Sequence, residues 1–192
     1  MTAHAYGPPV SVHDVAAYLA QLQRAQSARQ YGLAGMATSK LHKLTYFCQA
    51  YHLAWKGEPL FTEDVLAAAS GPVIAEFFEI HKDMVMVESW PVGNAAALSA
   101  EQRNVIAELA ESYSFSTGKN MGEEARGHLP WKRAWETHSE EVPRPAISHE
   151  DMCRYYRALS DAPKSAEAYA ERFWDRYTDT TKLWPTADRT FP

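Results

Sequence analysis

The stretch Ser39-Lys40-Leu41-His42-Lys43-Leu44-Thr45-Tyr46-Phe47-Cys48-Gln49-Ala50-Tyr51-His52-Leu53-Ala54-Trp55-Lys56-Gly57 decides the fold. Leu41, Leu44, Cys48, Tyr51 and Trp55 step by three and four residues along one face, and His42, Tyr46, Gln49 and Leu53 form a second seam beside it. A helix with two such stripes and few charges between them is buried on most sides. The pattern predicts a central helix that begins near Thr38 or Ser39. It should stop at Gly57, a residue type that readily takes the left-handed conformation after a helix end.

Upstream, residues 1–10 contain Gly7, Pro8 and Pro9 and read as a flexible entry segment. Ser11 and Asp14 then form a capping-box pattern ahead of Val12, Val15, Ala16, Leu19 and Leu22, which predicts a first helix fading near Gln30. Downstream, the chain turns after Glu58-Pro59-Leu60-Phe61, and the segment from Thr62 to Ala69 suits either a short helix or a strand. Gly71-Pro72-Val73 predicts a third helix, with proline at its first position and Ile74, Phe77, Phe78 and His81 on its apolar face. Met84-Val85-Met86-Val87 is β-prone and predicts a small strand or hairpin.

Ser99 and Gln102 cap a helix with Val105, Ile106, Leu109 and Tyr113 inward, and Asn120 is expected to cap a short helix over Met121 to Arg126. Pro130-Trp131 opens a further helical turn, and Glu140 to Pro145 is a connector. Ser148 and Asp151 cap a helix whose Met152, Tyr155, Tyr156 and Leu159 should face the core. Ser165 to Tyr177 reads as a last amphipathic helix before an irregular tail. The expected fold is mainly α: a single compact helical domain of six or seven helices with at most a small β-hairpin. The expected boundaries are 1–10 for the flexible segment, 11–160 for the domain, and 161–192 for the C-terminal helix and tail.

A composition of 46% hydrophobic and 22% charged residues is that of a globular chain rather than a disordered one. No run approaches the ~20 apolar residues needed to span a bilayer. The N-terminus lacks a basic segment followed by an apolar one, so a cytoplasmic location is expected. With 19 basic against 24 acidic residues, scattered along the chain, nucleic-acid binding is disfavoured. Cys48 and Cys153 sit in apolar helical surroundings and read as free thiols.

Catalytic patterns do not emerge. His42 and His52 are ten residues apart, which places them roughly 80° apart around a helix, unsuited to one metal. The other histidines from His81 onward fall on separate elements. Ser116-Thr117-Gly118-Lys119-Asn120 lacks the first glycine and the preceding strand of a phosphate loop. No enzyme activity, metal or cofactor is expected. Aromatic residues, by contrast, make up 12% of the chain, and Trp184 and Phe191 lie in the irregular tail. Aromatics in such a position either anchor a protein partner or fold back on their own domain.

The segment from Ser39 to Phe61 resembles the opening of the Panacea (SocA-like, GepA-like phage-associated) antitoxin domain: a leucine-lysine-leucine helix rich in tyrosine, a Gln49-x-x-His52-Leu53 step, and a Gly57-Glu58-Pro59-Leu60-Phe61 turn. Gly71-Pro72-Val73, Pro130-Trp131 and the helix from Ile147 to Tyr156 extend the resemblance over roughly 11–160. Two departures stand out. Ala67-Ala68-Ala69 replace a frequent tryptophan, and Gly127-His128 replace a threonine-histidine pair. The resemblance implies an antitoxin of a toxin–antitoxin pair that neutralises a cognate toxin by direct binding. Partner classes in the family include toxic small alarmone synthetases, other translation inhibitors and membrane-acting peptides. A second implied role is that of an adaptor delivering the toxin to a protease. On this reading the candidate contacts are outward parts of the central helix (His42, Lys43, Tyr46), the start of the third helix (Gly71, Pro72), and Trp184 and Phe191 in the tail.

Overall fold

The computed structural model describes residues 9–30, 35–82 and 84–161. In chain order the elements are α1 (Val12–Gln30), β1 (Met36–Ala37), α2 (Thr38–Lys56), β2 (Val65–Ala68), β3 (Gly71–Ile74), β4 (Met86–Val87), α3 (Ala100–Ser112), α4 (Gly118–Gly127), α5 (Leu129–Glu136) and α6 (His149–Asp161). Single turns of 3-10 helix lie at Ala75–Phe77 and Ala95–Ala97. Contacts group Met1–Arg157 into one unit and Ala158–Pro192 into a second.

The central helix behaves as its two stripes require. α2 is buried along most of its length, from Thr38 to Ala54, and packs against α1, α3, α4 and β3. It ends on Gly57 at φ 76°, whose N–H donates to the Leu53 carbonyl at 3.0 Å. The following turn is then folded back onto the helix by Gln49. Its Oε1 accepts from the N–H groups of Leu60 (2.8 Å) and Phe61 (3.2 Å), and its Nε2 donates to the Phe61 carbonyl (2.8 Å) and to Nε2 of His149 (2.9 Å). Two backbone donors on one atom fix which end of the amide is oxygen. Nδ1–H of His52 donates to the Glu58 carbonyl at 2.8 Å, which closes the same turn from its other end.

The turn organises the start of α1 as well. Val10 N–H donates to the Leu60 carbonyl at 2.9 Å. Glu63 accepts from the Val12 N–H (3.0 Å) and the Ser11 hydroxyl (3.1 Å), so a carboxylate some fifty positions away completes a cap begun locally by Ser11 and Asp14.

The expected third helix is instead a strand. Gly71 adopts φ 100°, which closes a tight turn after Ala69-Ser70 and sends Pro72 and Val73 back along β2, with Ala67 opposite Pro72 and Leu66 opposite Val73. Proline is tolerated because Ala67 N–H points outward to the Pro145 carbonyl (2.8 Å). That position in the ladder therefore needs no N–H from Pro72. Helix survives only as the single 3-10 turn at Ala75–Phe77. The β-prone segment at Met84 does form a strand, β4, pairing Met36 with Val87 and Ala37 with Met86.

Two glycines one turn apart let α4 lie directly on its neighbours. A Cβ on Gly118 would strike Ser39 and the Lys40 backbone nitrogen, and one on Gly122 would stand 2.5 Å from the Ser70 carbonyl oxygen. The cap of α4 is Thr117, whose hydroxyl accepts from Asn120 N–H at 3.1 Å, three residues before the expected position. The box at Ser99–Gln102 forms with both its bonds, and Ser148 caps α6 by accepting from Asp151 N–H at 3.2 Å. α6 delivers Met152 and Tyr156 into the core, while Leu159 is 36% exposed rather than inward. The Tyr156 hydroxyl donates to that of Tyr46 (3.1 Å) and lies 2.9 Å from His128 Nδ1, which ties α6, α2 and the start of α5 together.

Candidate partner-binding surface

Lys43 and His42 have their side chains on the β2–β3 hairpin rather than in solvent. They are 3% and 4% exposed, and Tyr46 is fully buried, so the outward placement expected for all three is corrected. The cause is the second stripe of α2, which is covered by β3 and α4 on one side and by Tyr156 on the other. Gly71 and Pro72 are buried as well, as the opening residues of β3. The structure thus brings His42, Lys43, Gly71 and Pro72 together and directs Tyr46 toward α6. Trp184 and Phe191 lie outside the described residues.

The histidine seam has a defined protonation pattern. Ile74 N–H donates to Nδ1 of His42 at 2.9 Å, so that nitrogen is bare and Nε2 carries the proton. His42 Nε2 stands 2.7 Å from Nε2 of His81, which must then accept. Burial above all, then the neighbouring His81 and Lys43, pushes the His42 pKa down to about 3. A histidine so depressed takes up a proton only on unfolding between its unfolded value near 6.5 and about 3. Its contribution to stability is full above pH 6.5 and is lost as pH falls. Burial lowers His52 and His149 in the same direction. Urea unfolding at pH 7.5 and pH 5 should show a loss of about 2 kcal/mol from His42 alone, at 1.36 kcal/mol per pH unit. The His42→Asn variant, which keeps an acceptor for Ile74, should reduce that slope; an unchanged slope would contradict the assignment.

What lies open is at the first turn of α2. Thr38 N–H donates to the Val85 carbonyl (3.0 Å) and its hydroxyl to the Met84 carbonyl (2.7 Å), fastening the strand segment beside the helix start. Lys40 Nζ donates to the Ser114 carbonyl at 2.9 Å, fastening the α3–α4 loop on the same turn. Each fastened segment carries exposed apolar side chains. Val85 is 81% exposed and Phe115 93%, with Met84 and Met86 also exposed. Burial lowers the Lys40 pKa. Sequence reasoning flagged Met84–Val87 as a strand but missed Phe115, which sits between Ser114 and Ser116 without any periodic apolar company.

These features define a mainly α domain in which a buried central helix is braced by a β-hairpin and presents exposed methionine, valine and phenylalanine around its first turn. Residues 41–132 match the family model described as "Antitoxin SocA-like, Panacea domain". The match runs from the first turn of α2 into α5, inside the 11–160 over which the resemblance was read. No curated protein and no solved structure matches the chain. Among the described residues no helix is long and apolar enough to cross a membrane.

Proposed function

We propose that the chain is the antitoxin of a toxin–antitoxin pair. It would act in the cytoplasm by holding a cognate protein toxin rather than by catalysis, with the surface around the first turn of α2 as the contact. The observation that carries this reading is the match of residues 41–132 to an antitoxin-like family. The surface is supported by Phe115 and Val85. Large apolar groups held out on fastened backbone lose little further freedom on binding, and aromatic anchors of this kind dominate interface energies.

The reading is tested by co-expressing the chain with the product of the neighbouring open reading frame. The pair should co-purify, and growth should be restored in wild-type and protease-deficient cells alike. Rescue confined to protease-containing cells would point to the adaptor role instead. A pair that neither associates nor protects growth would end the proposal. Phe115→Ser should weaken the complex by at least about 10-fold while leaving the thermal midpoint unchanged, since the ring touches little of its own domain. Unaltered affinity would move the contact elsewhere on the molecule.

A further inference from the structure

Lys43 crosses the face of α4 at Gly122 and ends beneath the β2–β3 turn. Among the described residues its ammonium has one partner, the Ser70 hydroxyl, at 3.5 Å, the outer limit of a hydrogen bond. At least two of its three N–H donors therefore have no acceptor among the described residues, although Lys43 is almost wholly buried. Arg126, one turn beyond Gly122, donates Nη1–H to the Ala69 carbonyl at 3.1 Å, while its Nε is buried with no partner. Neither cation forms an ion pair among the described residues. Of the two carboxylates on α4, Glu124 is taken by the Tyr113 hydroxyl and Glu123 is exposed.

Two neighbouring cations with unfilled donors and no counter-charge are an unusual thing to bury. A desolvated charge is costly unless it is paired, and the mutual repulsion of Lys43 and Arg126 adds to that cost. A group that satisfied both cations would be negative and rich in acceptors. At the edge of the contact between the turn and α4, Ala69 and Ser70 are exposed and Arg126 is half-buried. We propose that the exposed edge where the Ala69–Gly71 turn meets α4 is an oxyanion site, at which a carboxylate or phosphate group is held by the Lys43 ammonium, the Arg126 guanidinium and the Ser70 hydroxyl. An anion there would supply Lys43 and Arg126 Nε with the acceptors they lack. The depressed pKa of Lys43, lowered to about 8 by burial and then by Arg126, fits a cation waiting for its partner.

Thermal unfolding of the full chain at pH 7 and constant ionic strength, in inorganic phosphate and separately in acetate, tests the site. Wild type should gain about 5 °C when the anion reaches about 100 times its Kd. Lys43→Met should raise the midpoint in anion-free buffer, because it removes an unpaired buried charge, and should abolish the response to anions. If Lys43 merely clamps the turn, the same variant lowers the midpoint and leaves the response intact, which overturns the proposal. Arg126→Met, at a less buried position, should weaken the response at least 10-fold and serves if Lys43→Met fails to fold. On the wild type, the Lys43 ammonium resonance should titrate at higher pH in phosphate than without it. A response to phosphate alone identifies a phosphate-bearing ligand, and a response to acetate as well identifies a carboxylate. No response to either in wild type refutes the site. None of these outcomes depends on the toxin partner.

Discussion

Gln49→Leu should cost the domain most of its stability. Leucine is close in size and apolar, so packing along α2 is largely retained, and what is lost is one side chain's set of four hydrogen bonds. The Leu60 and Phe61 N–H groups and the Phe61 carbonyl would be left without these partners in the interior, where each unsatisfied group costs about 1–3 kcal/mol. The sum, roughly 3–9 kcal/mol, is comparable with the whole stability of an ordinary domain. The effect should spread beyond the turn, because Val10 bonds to Leu60 and Glu63 caps α1 from the same loop. Urea unfolding followed by circular dichroism would show a midpoint moved to very low denaturant or a chain unfolded in buffer. A shift below about 1 kcal/mol would mean that the turn holds itself in place without Gln49.

The second large effect is expected at Gly122. A methyl group there would sit 2.5 Å from the Ser70 carbonyl oxygen and 3.3 Å from Lys43 Cε. The first neighbour is backbone in a tight turn whose Gly71 is itself 2.9 Å from Gly122 Cα when given a Cβ, so neither side can yield cheaply. Gly122→Ala should therefore destabilise by about 2–4 kcal/mol despite the better helix propensity of alanine. Gly127, in the last turn of the same helix, has nothing within 4 Å of its would-be Cβ, and Gly127→Ala should stabilise by up to about 1 kcal/mol. Thermal unfolding of the two variants side by side checks the claim. If both move the same way, the close approach of α4 to the hairpin is not what sets the cost.

The legible parts of the chain were those governed by local rules. The two stripes of α2, its glycine stop, and the caps at Ser99 and Ser148 are all decided within a few residues of where they act, and each formed as the sequence implied. Gly71-Pro72-Val73 defeated the same reasoning because proline favours a helix start, yet is also tolerated at a strand position whose N–H bonds nothing. The choice was made by β2 across the turn and by a distant partner, the Pro145–Ile147 segment bonded to the outer edge of β2. The candidate surface failed for a related reason. A polar or amphipathic residue at helical spacing reads as outward when nothing says what covers it, and Lys43 and His42 are covered by elements about 30 and 80 positions further on. Phe115 carried the opposite problem, since a single aromatic in a serine-rich loop gives no periodic signal of exposure.

The distant Glu63 cap on α1 also bears on how this module travels. The segment recognisable as Panacea stops short of both flanking helices, yet Val12, Val15, Ala16 and Leu19 from one of them, and Met152 and Tyr156 from the other, fill the same interior as α2. Cut at its family boundaries, the piece would keep the acid that anchors α1 but not the helix it anchors. Any fusion or graft meant to carry this fold to another protein must therefore take the chain from about residue 10 to Arg157, with junctions placed outside those limits.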